Sequence, residues 1–186
     1  MSTAVSIVHK DRVEQCRSRR QAREERRRLA RQDVATARLA ELHHIRALLR
    51  DAEVVVSAGW VQNAWFAVPG AYGGQVGVTA HDLHLIVDNP VSGACLVGGI
   101  VQAAGGPATV RTQLVQRTLD LTWHVLREDG RRPVRWCPPP DVRAAHVRDL
   151  TRWNDDPRRT AAAVTSLLRS SAGAADSLIG LHRAYA

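Results

Sequence analysis

Aromatic residues are scarce: the 186-residue chain holds one Phe, two Tyr and five Trp. A core of alternating aromatic and β-branched residues is therefore disfavoured, and the plentiful Ala, Val and Leu suit close-packed helices better than a β-sandwich. Cysteine is scarce too. Cys16, Cys95 and Cys137 lie far apart and form no CxxC pair, which argues against a disulfide framework or zinc ribbon and for a reducing cytoplasm. The most apolar window, "ACLVGGIVQAAGG", falls well short of the roughly 20 residues that span a bilayer, so no membrane partner is expected. "MSTAVSIVHK" lacks the apolar run of a secretory signal. No Gly-rich loop leads into Lys and Ser/Thr, which argues against a nucleotide hydrolase.

Positive charge, by contrast, is abundant. The formal net charge is +8, favouring acidic partners such as nucleic acid or an acidic protein surface. Residues 10–33, "KDRVEQCRSRRQAREERRRLARQD", hold ten Lys/Arg against five Asp/Glu, a net of +5 and more than half of the excess. Their apolar residues make no continuous stripe, so residues 1–33 read as a polar helical arm or a segment disordered until bound.

From Asp33 apolar residues recur at helical spacing through Val56, with Gly59 as the expected stop. Residues 60–90 are rich in Gly and Pro and read as a loop with a short hairpin pairing "GQVGV" with "LHLIV". A helix is expected from Ser92 to Gly105 or Gly106, where Gly98 and Gly99 imply close approach by another backbone or a Trp ring. A further helix spans 109–129, and "RRPVRWCPPP" is a stiff connector. Asp141 is placed as the cap of the next helix, which carries Val142, His146, Leu150 and Trp153. Asn154 and Asp155 then make a turn, Asp156 caps a last helix and Pro157 takes its first position. The chain thus divides into the arm at 1–33, a helical domain at 34–172 and a tail at 173–186. The fold expected is mainly α, a small bundle with a Gly-rich loop or hairpin insert.

The chemistry offers two classes of function. A cysteine in a helix's first turn is exposed to free N–H groups that stabilise a thiolate. Cys95 is accordingly the nucleophile candidate for a hydrolase or transferase, with His81, His84, His124 or His146 as base, His124 and His146 foremost, and Asn154 or Asp155 to orient it. The competing reading is a small buried cysteine in a tight helix contact. His81 and His84 in "HDLH" lack further ligands, so neither a metal nor a cofactor is expected. In the second class, arm arginines Arg17, Arg19, Arg20, Arg23, Arg26, Arg27, Arg28 and Arg31 neutralise phosphates. Arg158 and Arg159 could join them at the start of a helix-turn-helix recognition helix, or pair with the neighbouring aspartates instead.

Gly59, Trp60 and Gln62, then Cys95 and Gly98, then Trp153, Asn154, Asp155, Arg159 and Thr160 stand in an order that resembles a family of small uncharacterised proteins of actinobacteria and their phages. That family carries GWxQ, CxxGA and WNDxxxRT motifs. The resemblance covers roughly residues 48–168 and departs from the pattern at Gly99, where Ala is expected, and in the insert before His81. It implies a helical domain and an origin of that kind, and it assigns no activity. The expectation is a small cytoplasmic binding or accessory protein that takes nucleic acid through its arm, with the Cys95 enzyme as the alternative.

Overall fold

The computed structural model describes residues 3–70, 72–86, 89–128 and 133–185, with the side chains of these described from Arg20 to Ala184. Among these residues the structure has five α-helices and a small sheet: α1 (Thr3–Ala58), α2 (Leu96–Ala103), α3 (Gln113–Glu128), α4 (Pro140–Asn154) and α5 (Ala161–Tyr185). Strands β1 (Phe66–Pro69), β2 (Gln75–Val78) and β3 (Gly93–Ala94) form an antiparallel sheet in the order β2-β1-β3. No helix among the described residues is long and apolar enough to cross a membrane.

The mainly helical class expected from composition is the observed one. Helix α1 runs through Asp33 without a break. Leu42, Ile45, Leu49, Ala52 and Val56, three and four residues apart, are fully buried or nearly so. Helix α5 packs antiparallel along α1, and Arg46 Nη1 donates to Asp176 Oδ1 at 2.8 Å. Arg169 pairs with Glu53 further along the same seam. Residues 173–185, expected as a tail, are instead the second half of α5. Ala175 and Ile179 are buried there, and a Cβ at Gly173 or Gly180 would meet nothing within 4 Å. Burial of the apolar face offsets the roughly 1 kcal/mol that each helical glycine costs.

The hairpin differs from its expected pairing. "GQVGV" does supply β2, but its partner is "FAVP", with Phe66 opposite Val78 and Pro69 opposite Gln75. "LHLI" is a turn of 3₁₀ helix. The three buried residues of β1 form a continuous apolar run, as suits the central strand of the sheet.

Two glycines act by close approach, as their places in the sequence imply. A Cβ on Gly98 would stand 1.9 Å from the Trp65 carbonyl oxygen, and one on Gly99 would stand 2.6 Å from Val56 Cγ2. Gly59 follows α1 with no left-handed φ; a Cβ there would lie 2.4 Å from the Ser92 carbonyl oxygen. These contacts press α2 against both the end of α1 and the sheet.

Candidate functional site

The segment that opens the α4–α5 corner, "WNDDPRRT", is a joint. Asn154 closes α4 and is fully buried, where the sequence places it in a turn. Its Oδ1 accepts from Trp60 Nε1 at 3.0 Å and from the Leu96 backbone N–H at 3.1 Å. Its Nδ2 donates to the Val61 carbonyl at 3.1 Å and to Asp155 Oδ1 at 2.8 Å. An amide offers two lone pairs and two N–H groups, and all four are used. Gln62 Nε2 adds bonds to the Asn154 and Asp156 carbonyls at 3.0 and 2.9 Å, and Asp155 Oδ1 also accepts from the Asn63 N–H at 2.9 Å. One side chain thus ties the end of α1, the start of α2 and the end of α4 together.

The capping assignments shift accordingly. Asp141 lies in the first turn of α4, behind Pro139 at the cap position, where its charge faces the free N–H groups. Asp156 opens a turn with Pro157 second, closed by the Arg159 N–H on the Asp156 carbonyl at 2.8 Å. Thr160 is the residue that caps α5, its Oγ1 accepting from the Ala163 N–H at 3.2 Å. Six residues, 155–160, separate the two helices, more than the three or four of a helix-turn-helix.

Arg158 and Arg159 are engaged locally. Arg158 grips Asp156 through Nε at 3.1 Å and Nη2 at 2.9 Å, and this partner holds the Asp156 carboxyl down at about 2. Arg159 lies over the half-buried Trp153 ring, 4.5 Å from its centroid. Within the corner an ion pair engages Arg158 and a cation–π contact engages Arg159.

The Cys95 constellation is not assembled. Cys95 is the N-cap of α2, so the helix starts four residues later than Ser92, and its Sγ accepts from the Gly98 N–H at 3.3 Å. The thiol is fully buried, and burial pushes it up to about 12. Asp155 belongs to the Asn154 joint. His124 and His146 line a different place, a cleft of roughly 530 Å³ between α3 and α4 with Asp120 and Trp123. There the His146 ring stacks on Trp123 at 3.8 Å, and its Nδ1 lies 3.4 Å from the buried Asp120 carboxylate, which also takes Arg143 at 2.8 Å.

Cys137 was not singled out by sequence. It is exposed, adopts φ 55°, and receives Arg117 Nε at 3.3 Å. Arg117, with Arg143 beside it, holds this thiol below its ordinary range. In a Cys16→Ser background, Cys137 is therefore expected to react with a thiol reagent at neutral pH, and Cys95 only after unfolding. Two thiols titrating in the native protein would contradict the burial of Cys95. Asp120 carried a legible signal, a carboxylate inside the apolar stripe of α3; Arg117, which donates to Cys137, lies 20 residues before it and gave none.

The arginines of α1 are placed differently from all of these. Arg17 and Arg19 fall where the backbone is described and the side chains are not; residues 20–34 are all exposed. Arg20 pairs with Glu24 at 3.5 Å and Arg28 with Glu25 at 2.8 Å. Among the described residues Arg23, Arg26, Arg27 and Arg31 have no carboxylate partner, although Arg31 Nε donates to the Arg27 carbonyl at 3.2 Å. Arg20, Arg23, Arg27 and Arg31 follow the same three-and-four spacing as Leu42, Ile45, Leu49, Ala52 and Val56 and lie on the same face of the helix. That face is core inside the domain and arginine outside it. Where α1 leaves the domain, Arg28 and Arg31 share a groove with His182 and Arg183 of α5.

A family model described as "Family of unknown function (DUF6197)" matches residues 40–174 and leaves the arm outside. No curated protein and no solved structure matches the chain.

Proposed function

We propose that this chain, which belongs to the family of unknown function DUF6197, binds nucleic acid through the arginine face of the projecting part of α1. The observation that carries the reading is the run of Arg23, Arg26, Arg27 and Arg31, exposed and without acidic partners among the described residues. Arg158, by contrast, is paired. Unpaired guanidinium groups on a rod standing clear of the domain are available to phosphates, and the entropy of released counterions drives such binding without base readout. Cys95 offers no exposed thiolate for the enzyme alternative.

The binding is expected to be electrostatic. Anisotropy of a labelled nucleic acid titrated with the full chain should show affinity falling steeply between about 50 and 200 mM salt. Salt-insensitive binding, or none at low salt, would contradict the proposal. Removing residues 1–33 should leave the melting temperature within about 4 °C of the parent, since the described side chains of the arm, residues 20–33, bury no apolar face. A larger drop would mean that the arm packs on the domain.

A further inference from the structure

We infer that the nucleic acid is B-form duplex DNA, with the arm lying along its major groove and the end of α5 against the phosphates beside it; the inference rests on the nucleic-acid reading above. Four features of the molecule lead there. Residues 1–33 contain no Phe, Tyr or Trp, so the arm lacks the stacking platforms that hold single strands. An α-helix with its side chains is about 10–12 Å across, which a B-form major groove about 12 Å wide admits, whereas the A-form RNA groove is deep and narrow.

The third feature is the arrangement of charge around the rod. Arg20, Arg23, Arg27 and Arg31 form a strip along one side of α1, with Arg28 and Arg26 on its two flanks. A helix inside a groove meets phosphates on both walls, and arginines that flank a central strip can reach both.

The fourth is where the strip points. It continues the core-facing side of α1, so a duplex on it meets the end of the domain, where His182 and Arg183 of α5 border the groove shared with Arg28 and Arg31. Packed helices lie about 8–10 Å apart, which sets these two residues to one side of the arm, beside a wall of the groove that the arm fills. Neither His182 nor Arg183 has a carboxylate partner among the described residues.

The test compares the full chain on a DNA duplex of about 20 base pairs, the RNA duplex of matching sequence and each single DNA strand, at one salt concentration. The DNA duplex should bind about tenfold tighter than the others, and methylating guanine N7, which faces the major groove, should weaken binding. Arg183→Gln should lower duplex affinity about threefold to tenfold without moving the melting temperature. Equal or tighter binding of the RNA duplex or a single strand would overturn the inference, as would indifference to N7 methylation or full affinity in Arg183→Gln. Tight but indiscriminate binding sinks the duplex assignment and leaves the arm as a nucleic-acid interface. No binding to any of the probes removes both.

Discussion

Asn154→Ala is expected to lower the stability of the domain by about 3–5 kcal/mol, the sum of several buried groups each losing a partner at about 1–3 kcal/mol. The substitution strands the Trp60 indole N–H, the Leu96 amide and the Val61 carbonyl, all of which Asn154 now satisfies. Against a net stability of about 5–15 kcal/mol, that is enough to bring some of the chain near unfolding at ambient temperature. Asn154→Asp should not rescue it. An aspartate keeps the two accepted bonds but sets a second carboxylate against Asp155 Oδ1, which Nδ2 now meets at 2.8 Å. Gln62→Ala, which removes bonds to two carbonyls at the edge of the joint, should cost nearer 1–2 kcal/mol. Denaturant midpoints of the three variants give the ordering. An Asn154→Ala protein within about 1 kcal/mol of the parent would mean that the joint is not what holds these elements together.

The opposite pattern is expected in the arm. Replacing Arg20, Arg23, Arg27 and Arg31 together by Gln should leave the denaturant midpoint almost unchanged, because all four are exposed and Gln is a comparable helix former. The same variant should lose on the order of a hundredfold to a thousandfold in DNA affinity, at about 1 kcal/mol for each charged contact. Stability and binding then separate cleanly between two regions of one protein. Loss of both in the same variant would place the arm in the core of the fold.

This separation was partly legible in the sequence. The arm declared itself by composition, since ten cationic residues without an apolar stripe cannot fold onto a core. The helical spacing of Leu42 to Val56 and the paired glycines at 98 and 99 were legible for the same reason: period and side-chain size are local properties. What the sequence obscured was continuity. Asp33 looks like a boundary because the chemistry of the face changes there, yet the backbone has no reason to stop a helix at a change from arginine to leucine.

The joint was hidden in another way. Asn154, Asp155 and Asp156 are turn formers by propensity, and the assignment of Asp156 as a cap follows from that. Asn154's partners, Trp60, Val61 and Leu96, lie far away in the chain, and the pull of four hydrogen bonds outweighs the local preference. The residues that resembled a motif are thus accounted for by structure: Trp60, Gln62, Asn154 and Asp155 by the joint, Cys95 and Thr160 by capping, and Gly98 by close packing. The basic arm, outside that resemblance, carries the function proposed for this chain.

The most direct test is the salt dependence of duplex DNA binding, measured on the full chain and on the variant with Gln at positions 20, 23, 27 and 31. The logarithm of affinity should fall linearly with the logarithm of salt concentration for both, and the slope of the variant should be smaller by about three to four, one counterion equivalent for each arginine removed. Equal slopes in the two proteins would show that these arginines do not meet phosphates and would contradict the assignment of the arm as the nucleic-acid interface.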